Sequence, residues 1–173
     1  GKEIVEVGHD LGAPEGAEVI DAAGKYLVPG LVDMHVHFRD PGFEYKETIE
    51  TGSRAATHGG FTDVATMPNT DPVTDTGTGV RYQIDRGRAA GLCHIRPIGA
   101  LTTEKGLDLV RAAKAEGLPV TCEVTPHHLF LNEDDIDSTY NTNLKMNPPL
   151  RLKSDMLALR KGIVDGSIDC LVT

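Results

Sequence analysis

The sequence predicts an α/β fold built from parallel strand–helix units, and three features of the chain predict it. Short apolar runs with the length of buried strands alternate with helix-like segments from residue 31 onward. Most of the helix-like segments end at a glycine, which is a common helix stop. The apolar run Leu31–Val36 leads directly into polar and charged residues, among them two histidines. Strand, helix and strand at this spacing imply parallel pairing with right-handed crossovers.

The predicted elements follow one another along the chain. The strands are the apolar runs at residues 31–36, 61–67, 94–100, 120–125 and 168–172. The helices have apolar residues at helical spacing and cover residues 44–58, 78–90, 107–116 and 153–164. Residues 131–149 are polar and rich in Asn, Asp and Pro, and this composition favours an active-site loop over a linker.

The first 29 residues have a different pattern. Two short stretches alternate apolar and polar residues, and Gly12, Pro14 and Gly16 lie between them. This pattern predicts small antiparallel strands and no helix. We therefore expect a partial β unit in residues 1–29 and the α/β unit in residues 30–173.

Composition excludes several classes of protein. The formal net charge is −9, from 17 basic and 26 acidic residues, and no basic cluster interrupts it, so nucleic acid and anionic membranes are poor partners. The chain has no apolar run of about 18 residues and no signal-like start, so we expect a cytoplasmic protein. Cys93, Cys122 and Cys170 are widely separated, which argues against a disulfide framework or a thiolate zinc site and predicts buried, reduced cysteines.

His35 and His37 are the candidate metal ligands. Side chains two residues apart on a strand project to the same side, so these two imidazoles can hold one cation between them. Imidazole suits zinc and its neighbours in the first transition row. The alternative is that both histidines only form hydrogen bonds at a sheet edge.

Five segments carry a family resemblance. VPGLVDMHVHFRDPG at residues 28–42 resembles the first-strand signature of the cyclic amidohydrolases, and its HFRDPG part is similar to the dihydroorotases of bacterial type I. The further matches occur in family order: GGFTDVATMPNT (59–70), HIRPIGALT (94–102), LPVTCEVTPHHL (118–129) and KMNPPLR (145–151).

The resemblance implies a (β/α)8 barrel of amidohydrolase type beside a small β-sandwich, to which residues 1–29 would belong. It implies zinc-dependent, reversible hydrolysis of dihydroorotate to N-carbamoyl-aspartate in pyrimidine biosynthesis. One or two zinc ions would bind, with His35 and His37 as ligands of the more buried ion. A homo-oligomer and an association with aspartate transcarbamoylase are also implied.

The resemblance assigns substrate contacts to His37, Arg39, Asn69 and Asn147. Arg39 would hold the substrate carboxylate, since guanidinium binds carboxylate through two parallel hydrogen bonds. Without the resemblance, a surface ion pair of Arg39 with a neighbouring acid, Asp40 or Glu44, would be the first interpretation.

The two asparagines would bind the amide groups of the ring. For Asn69 the alternative is turn chemistry, and for Asn147 it is a structural role before two prolines. In the family the adjacent histidines of PHHL are not metal ligands, so we expect structural or supporting roles for His127 and His128.

The chain is too short for the whole barrel. Such a barrel takes about 250 residues, whereas only five strands are predicted, and they resemble barrel strands 1, 2, 3, 7 and 8. The apparent gap lies near residues 103–107. Strands 4 to 6 would supply a bridging carboxylate and two more metal histidines, and the general-base Asp of the family would lie beyond Thr173, so no catalytic residue is assigned here. We expect the sequence to be part of a longer protein, and the alternative is a chain from which these strands are deleted. We expect these residues alone to be inactive.

Two alternative functions remain open. Another cyclic amidohydrolase, such as a hydantoinase or allantoinase, fits less well because of Arg39 and the MPNT segment. A non-catalytic dihydroorotase-like subunit that supports aspartate transcarbamoylase fits less well because the HVHFRDPG segment is intact.

Overall fold

A computed structural model describes residues 3–101, 104–139 and 141–172. Three strands, β1 (Leu31–Val36), β2 (Phe61–Thr66) and β3 (His94–Pro97), form a parallel sheet in the order β1-β2-β3. In the register, Leu31 pairs with Phe61 and Val64 pairs with Ile95. Helices α1 (Ile49–His58) and α2 (Gly77–Ala90) connect these strands. The predicted α/β class with parallel strand–helix units is confirmed.

The core of this first unit is small and apolar. Its buried members lie in α1, β2 and β3, shortly after β1 and directly before β3. They are Phe38, Ile49, Val64, Cys93 and Ile95. Helix α1 begins later than predicted because Thr48 caps it: the Thr48 side chain accepts from the Thr51 backbone amide, and the Thr51 hydroxyl accepts from the Thr48 amide. The prediction that this helix starts at residue 44 is therefore wrong.

The second unit follows Leu101. It consists of α3 (Glu104–Ala115), β4 (Glu123–Val124), α4 (Pro126–Phe130), α5 (Lys153–Val164) and β5 (Cys170–Leu171). Strands β4 and β5 pair in parallel and form a separate two-stranded sheet. The core of this unit contains Leu107, Val110, Cys122, Val124, Leu129 and Ile168.

Polar contacts fasten α3 to the segment that precedes β5. Lys114 Nζ lies 2.8 Å from the Asp169 carboxylate, which also accepts from the Cys122 amide at 2.7 Å. Arg111 donates to Ser167 Oγ at 3.0 Å and forms an ion pair with Asp165 at 2.9 Å. These contacts join the chain on both sides of β4 and fix the entry to β5.

Several predicted boundaries differ from the structure. The strands predicted at 120–125 and 168–172 shorten to two residues each, and these two short strands pair with each other. Helix α4 was not predicted, and residues 131–149 contain two 3₁₀ turns, Glu133–Asp135 and Thr142–Leu144. The apparent gap predicted near residues 103–107 includes Thr103, which lies outside the described residues. All three cysteines are free, as predicted, but Cys170 is exposed because no described layer covers β5 on that side.

Residues 3–30 contain no helix or strand, and their side chains are exposed. The short strands predicted there do not form, because among the residues that the structure describes no second segment pairs with them. Apolar residues such as Val5 and Leu27 are 96% exposed. The assignment of residues 1–29 to a β-sandwich stays a prediction. In the part of the chain that the structure describes, no helix has the length and apolarity needed to cross a bilayer.

Candidate metal-binding and substrate-binding site

The imidazole rings of His35 and His37 meet at the carboxyl end of β1. Their Nε2 atoms are 3.2 Å apart, and both side chains are exposed. Two nitrogens bound at 2.0–2.1 Å to one tetrahedral zinc ion would lie about 3.3 Å apart, so the observed spacing fits a shared ion. Within the described ranges, no cluster of three or more His, Cys, Asp or Glu side chains could hold a metal. In the part of the chain that the structure describes, His35 and His37 therefore have no third ligand of these types beside them.

Asn69 fixes the orientation of one of these rings. It follows β2, and its Oδ1 lies 2.9 Å from Nδ1 of His37. An amide oxygen can only accept, so Nδ1 carries the hydrogen and Nε2 keeps its lone pair. A metal-binding imidazole commonly donates its other N–H to such a partner, and this sets both ring orientation and tautomer. Asn69 therefore lies where it can fix the ring of a metal-binding His37.

A buried polar network supports the loop that carries Asn69. The Thr66 hydroxyl donates to Gln83 Oε1 at 2.6 Å, and Gln83 Nε2 donates to Thr74 Oγ1 at 2.7 Å. Thr74 Oγ1 lies 2.9 Å from Thr70 Oγ1, one residue beyond Asn69. Each of these four side chains is at least 94% buried, so α2 and the end of β2 together fix the loop.

Arg39 lies on a tight loop after β1. Its φ is +60°, a left-handed conformation that is unusual for a residue with a Cβ, and its carbonyl accepts from the Phe43 amide at 2.9 Å. Because β1 ends at Val36, the strand alternation used to place Arg39 beside His37 does not extend to it. Neither Asp40 nor Glu44 forms an ion pair with Arg39, so the alternative interpretation of Arg39 as half of such a pair is wrong.

Asp40 anchors this loop from inside the protein. It is 1% exposed, and its carboxylate accepts from the Ile49 amide at 3.1 Å and from the Tyr82 hydroxyl at 2.8 Å. Partial burial, together with the hydrogen bond to Asp40, raises the pKa of the Tyr82 phenol. The carboxylate thus ties the residue after Arg39 to the first turn of α1 and to α2.

The Arg39 loop and the Asn69 loop are in direct contact. The Asp71 amide donates to the Pro41 carbonyl at 3.0 Å. Gly42 has φ +96°, and a Cβ at this position would lie 2.1 Å from the Asp71 carbonyl oxygen. Only glycine fits this approach, so the two loops form one rim beside the histidine pair.

Asn147 lies in the second unit. It is exposed on the loop between Leu144 and α5, and no hydrogen bond within the described ranges joins it to His35, His37 or Arg39. The structure therefore brings His35, His37 and Asn69 together and leaves Asn147 apart. The substrate-binding roles of His37, Arg39, Asn69 and Asn147, and the metal role of His35 and His37, stay predictions.

Sequence reasoning missed the residues that hold these loops. Asp40 and Gln83 gave no signal, because a buried partner cannot be recognised before the fold is known. The sequence predicts a structural or supporting role for His128 but no partner for it. In the structure each nitrogen of its ring forms a hydrogen bond. Its position three residues after Thr125, a typical helix N-cap, was the available signal.

Comparison with known proteins defines the class to which this fold and site belong. Residues 24–130 match the model of the dihydro-orotase-like family, so the chain belongs to that family.

Particular relatives are dihydroorotases. The chain is 35% identical to the dihydroorotase of Pelobacter propionicus and 32% identical to that of Trichlorobacter lovleyi, in each case over 98% of this chain and 65% of the relative. A solved structure of D-hydantoinase superposes with a TM-score of 0.49 at 18% identity, covering 83% of this chain and 37% of that protein.

These matches contain a large internal difference. Each runs over 277 aligned positions, although the chain has 173 residues. At least 104 aligned positions of each relative, the difference between those two lengths, therefore have no counterpart in this chain. The chain spans just under two thirds of the length of these relatives.

Proposed function

We propose that this chain is the substrate-binding side of a dihydroorotase, which reversibly hydrolyses the cyclic amide of dihydroorotate to N-carbamoyl-aspartate in cytoplasmic pyrimidine biosynthesis. The observation that carries the proposal is the pair of imidazole nitrogens 3.2 Å apart, backed by Asn69, on a chain that matches curated dihydroorotases over 98% of its length.

His35 and His37 would hold a zinc ion through their Nε2 atoms. When bound, zinc supplies hydroxide at neutral pH by lowering the pKa of its water. The Asn69 bond keeps Nε2 of His37 unprotonated and therefore able to act as a ligand. Catalytic zinc sites use three protein ligands or more, so further ligands would come from positions of the relatives that this chain lacks.

Arg39 would bind the substrate carboxylate. Its guanidinium forms no ion pair with the described acids, so it is available for an anionic ligand. The left-handed backbone at Arg39 and the Asp40 anchor fix the base of that side chain. His37, Asn69 and Asn147 would contact the ring, with the asparagine amides facing its N–H and C=O groups.

The substrate carboxylate separates this proposal from a hydantoinase or allantoinase. A ring without a carboxylate offers no partner for an arginine side chain. An unpaired guanidinium that loses water when the ligand binds costs free energy. A half-buried Arg39 without an internal acid partner therefore favours the carboxylated ring.

A second candidate is a non-catalytic dihydroorotase-like subunit, in a homo-oligomer, that supports aspartate transcarbamoylase. One observation favours it: within the described ranges no group of three or more His, Cys, Asp or Glu side chains could hold a metal, whereas a catalytic zinc requires three protein ligands.

Hydrolysis of two matched substrates tests these proposals. Dihydroorotate and dihydrouracil differ by the carboxylate, so the protein that carries this chain together with the further zinc ligands should prefer dihydroorotate. Arg39→Met should raise KM for dihydroorotate about 10- to 100-fold, since charged hydrogen bonds contribute about 1.5–3 kcal/mol, and leave dihydrouracil unaffected. Arg54→Met is the control, because Arg54 forms an exposed ion pair with Glu50.

The outcomes separate the candidates. A wild-type preference for dihydrouracil would identify a hydantoinase-like enzyme. If the protein with the further zinc ligands is folded and metal-supplemented and still hydrolyses neither ring, the catalytic proposal is contradicted and the supporting subunit is left.

A further inference from the structure

His128 makes a hydrogen bond with each nitrogen of its ring. It lies in α4, half-buried, with Nε2 3.0 Å from the Pro148 carbonyl oxygen and Nδ1 2.7 Å from Thr125 Oγ1. A carbonyl can only accept, so Nε2 carries the hydrogen and Nδ1 accepts from the Thr125 hydroxyl. Both contacts together fix the tautomer and the plane of the ring.

The Pro148 carbonyl belongs to the residue after Asn147. Pro148 and Pro149 have no backbone N–H, so this part of the loop can be held only through its carbonyl oxygens. His128 supplies the donor for one of them. The chain is attached again at Arg151, whose carbonyl accepts from the Glu133 amide at 2.9 Å.

The side chain of Asn147 remains accessible while its neighbour is held. Asn147 is exposed, whereas Leu150, three residues on, is 4% exposed and packs into the protein. A ligand-binding amide gains affinity when its backbone is already ordered, because less conformational entropy is lost on binding. The backbone of the loop is therefore held by hydrogen bonds, while the side-chain amide of Asn147 stays exposed.

We propose that His128 is a positioning residue that holds the Asn147 loop in its ligand-binding conformation, through the bond from Nε2 to the Pro148 carbonyl. This inference rests on the proposed function, in which Asn147 contacts the ring of dihydroorotate. His128 does not touch the substrate in this proposal and acts through the loop.

The neighbouring histidine provides a matched control. His127 is in the same helix, but its side chain is exposed and forms no hydrogen bond in the described part of the chain. His127→Gln therefore changes composition and helix propensity as much as a change at position 128, without removing the contact to Pro148.

Two substitutions at 128 separate the proposed contact from a general packing role. The amide nitrogen of His128→Gln can reach the place of Nε2 and keep the bond to Pro148. His128→Asn is shorter and cannot, although it keeps a polar amide near Thr125. We expect His128→Gln to retain the order of the Asn147 loop and the affinity for dihydroorotate, and His128→Asn to lose both.

The first measurement is loop order by ¹⁵N relaxation in the purified protein without ligand. The backbone order parameter of Asn147 should be near 0.85 in wild type, His127→Gln and His128→Gln, and below about 0.6 in His128→Asn. Equal values for the two variants at 128 would overturn the proposed bond.

The second measurement is dihydroorotate affinity by titration calorimetry on the same proteins. His128→Asn should weaken binding about 3- to 10-fold, the loss of one hydrogen bond, and His128→Gln should restore it. A mobile Asn147 with unchanged affinity would overturn the positioning role. Absence of binding by the wild-type protein would instead contradict the proposed function, and the order parameters would still decide whether His128 holds the loop.

Discussion

Nδ1 of His37 donates to Oδ1 of Asn69 across 2.9 Å, and this bond joins the end of β1 to the loop after β2. It directs Nε2 of His37 toward Nε2 of His35, and these two nitrogens lie at a hydrogen-bond distance of 3.2 Å. The two residues are 32 positions apart in the sequence, so parallel pairing of β1 with β2 brings them together.

Removing the acceptor of that bond should weaken metal binding. We expect Asn69→Leu to lower zinc affinity about 10- to 100-fold, the usual effect of losing the partner of a metal-binding imidazole. Asn69→Asp keeps an acceptor at the same place and should retain the affinity. Competition with a chromogenic chelator measures both, and equal affinities for the Leu and Asp variants would show that the His37 contact is not needed.

Gln83 should be important for stability because both ends of its amide are used inside the protein. Gln83→Leu leaves the Thr66 hydroxyl and Thr74 without these partners, and it should lower the free energy of unfolding by about 1–3 kcal/mol. Denaturant unfolding of Gln83→Leu, Thr66→Val and the double variant measures the coupling. Strictly additive losses would contradict a shared network.

Ionisation of Tyr82 should lower the free energy of unfolding at alkaline pH. Its pKa is raised in the folded protein, so the contribution is complete below the ordinary phenol value of 10.0 and is lost as pH rises through the raised value. Tyr82→Phe should flatten the decline in the free energy of unfolding above about pH 10. Tyr45→Phe is the control, because Tyr45 is 79% exposed, and an equal effect of both substitutions would contradict the prediction.

Protonation of Asp165 should lower the free energy of unfolding at acid pH. The Ser167 hydroxyl and amide, and then Arg111, hold the pKa of Asp165 at about 2. Its stabilising contribution is present above the unfolded value of 3.8 and is lost as pH falls toward about 2. Carbon-13 titration of the carboxyl should show a larger upward shift of the pKa in Ser167→Ala than in Arg111→Met, and the reverse order would show that the ion pair dominates.

Much of the first unit could be predicted from sequence. Strand β1 and helix α5 have the predicted bounds, because an apolar run and a helical pattern between clear stops define them locally. Strand alternation predicts the meeting of His35 with His37, and the two rings do meet although His37 is the first residue after β1. Alternation does not predict their contact with Asn69, since that contact depends on the register of β1 with β2.

The remaining differences have tertiary causes. Residues 3–30 have the alternation of strands, but no segment in the described part of the chain pairs with them. Arg39 departs from the strand pattern because the anchored Asp40 turns the chain. Local patterns predict an element, whereas its partners decide whether it forms and where its side chains point.

Zinc content and dihydroorotate hydrolysis, measured on one purified sample of the protein that carries this chain together with the further zinc ligands, test the central proposal most directly. The account predicts that zinc copurifies, that chelation abolishes hydrolysis, that added zinc restores it, and that His35→Asn and His37→Asn each lose the metal. Hydrolysis that persists in both histidine variants, or a folded protein that neither binds zinc nor hydrolyses dihydroorotate, would contradict it.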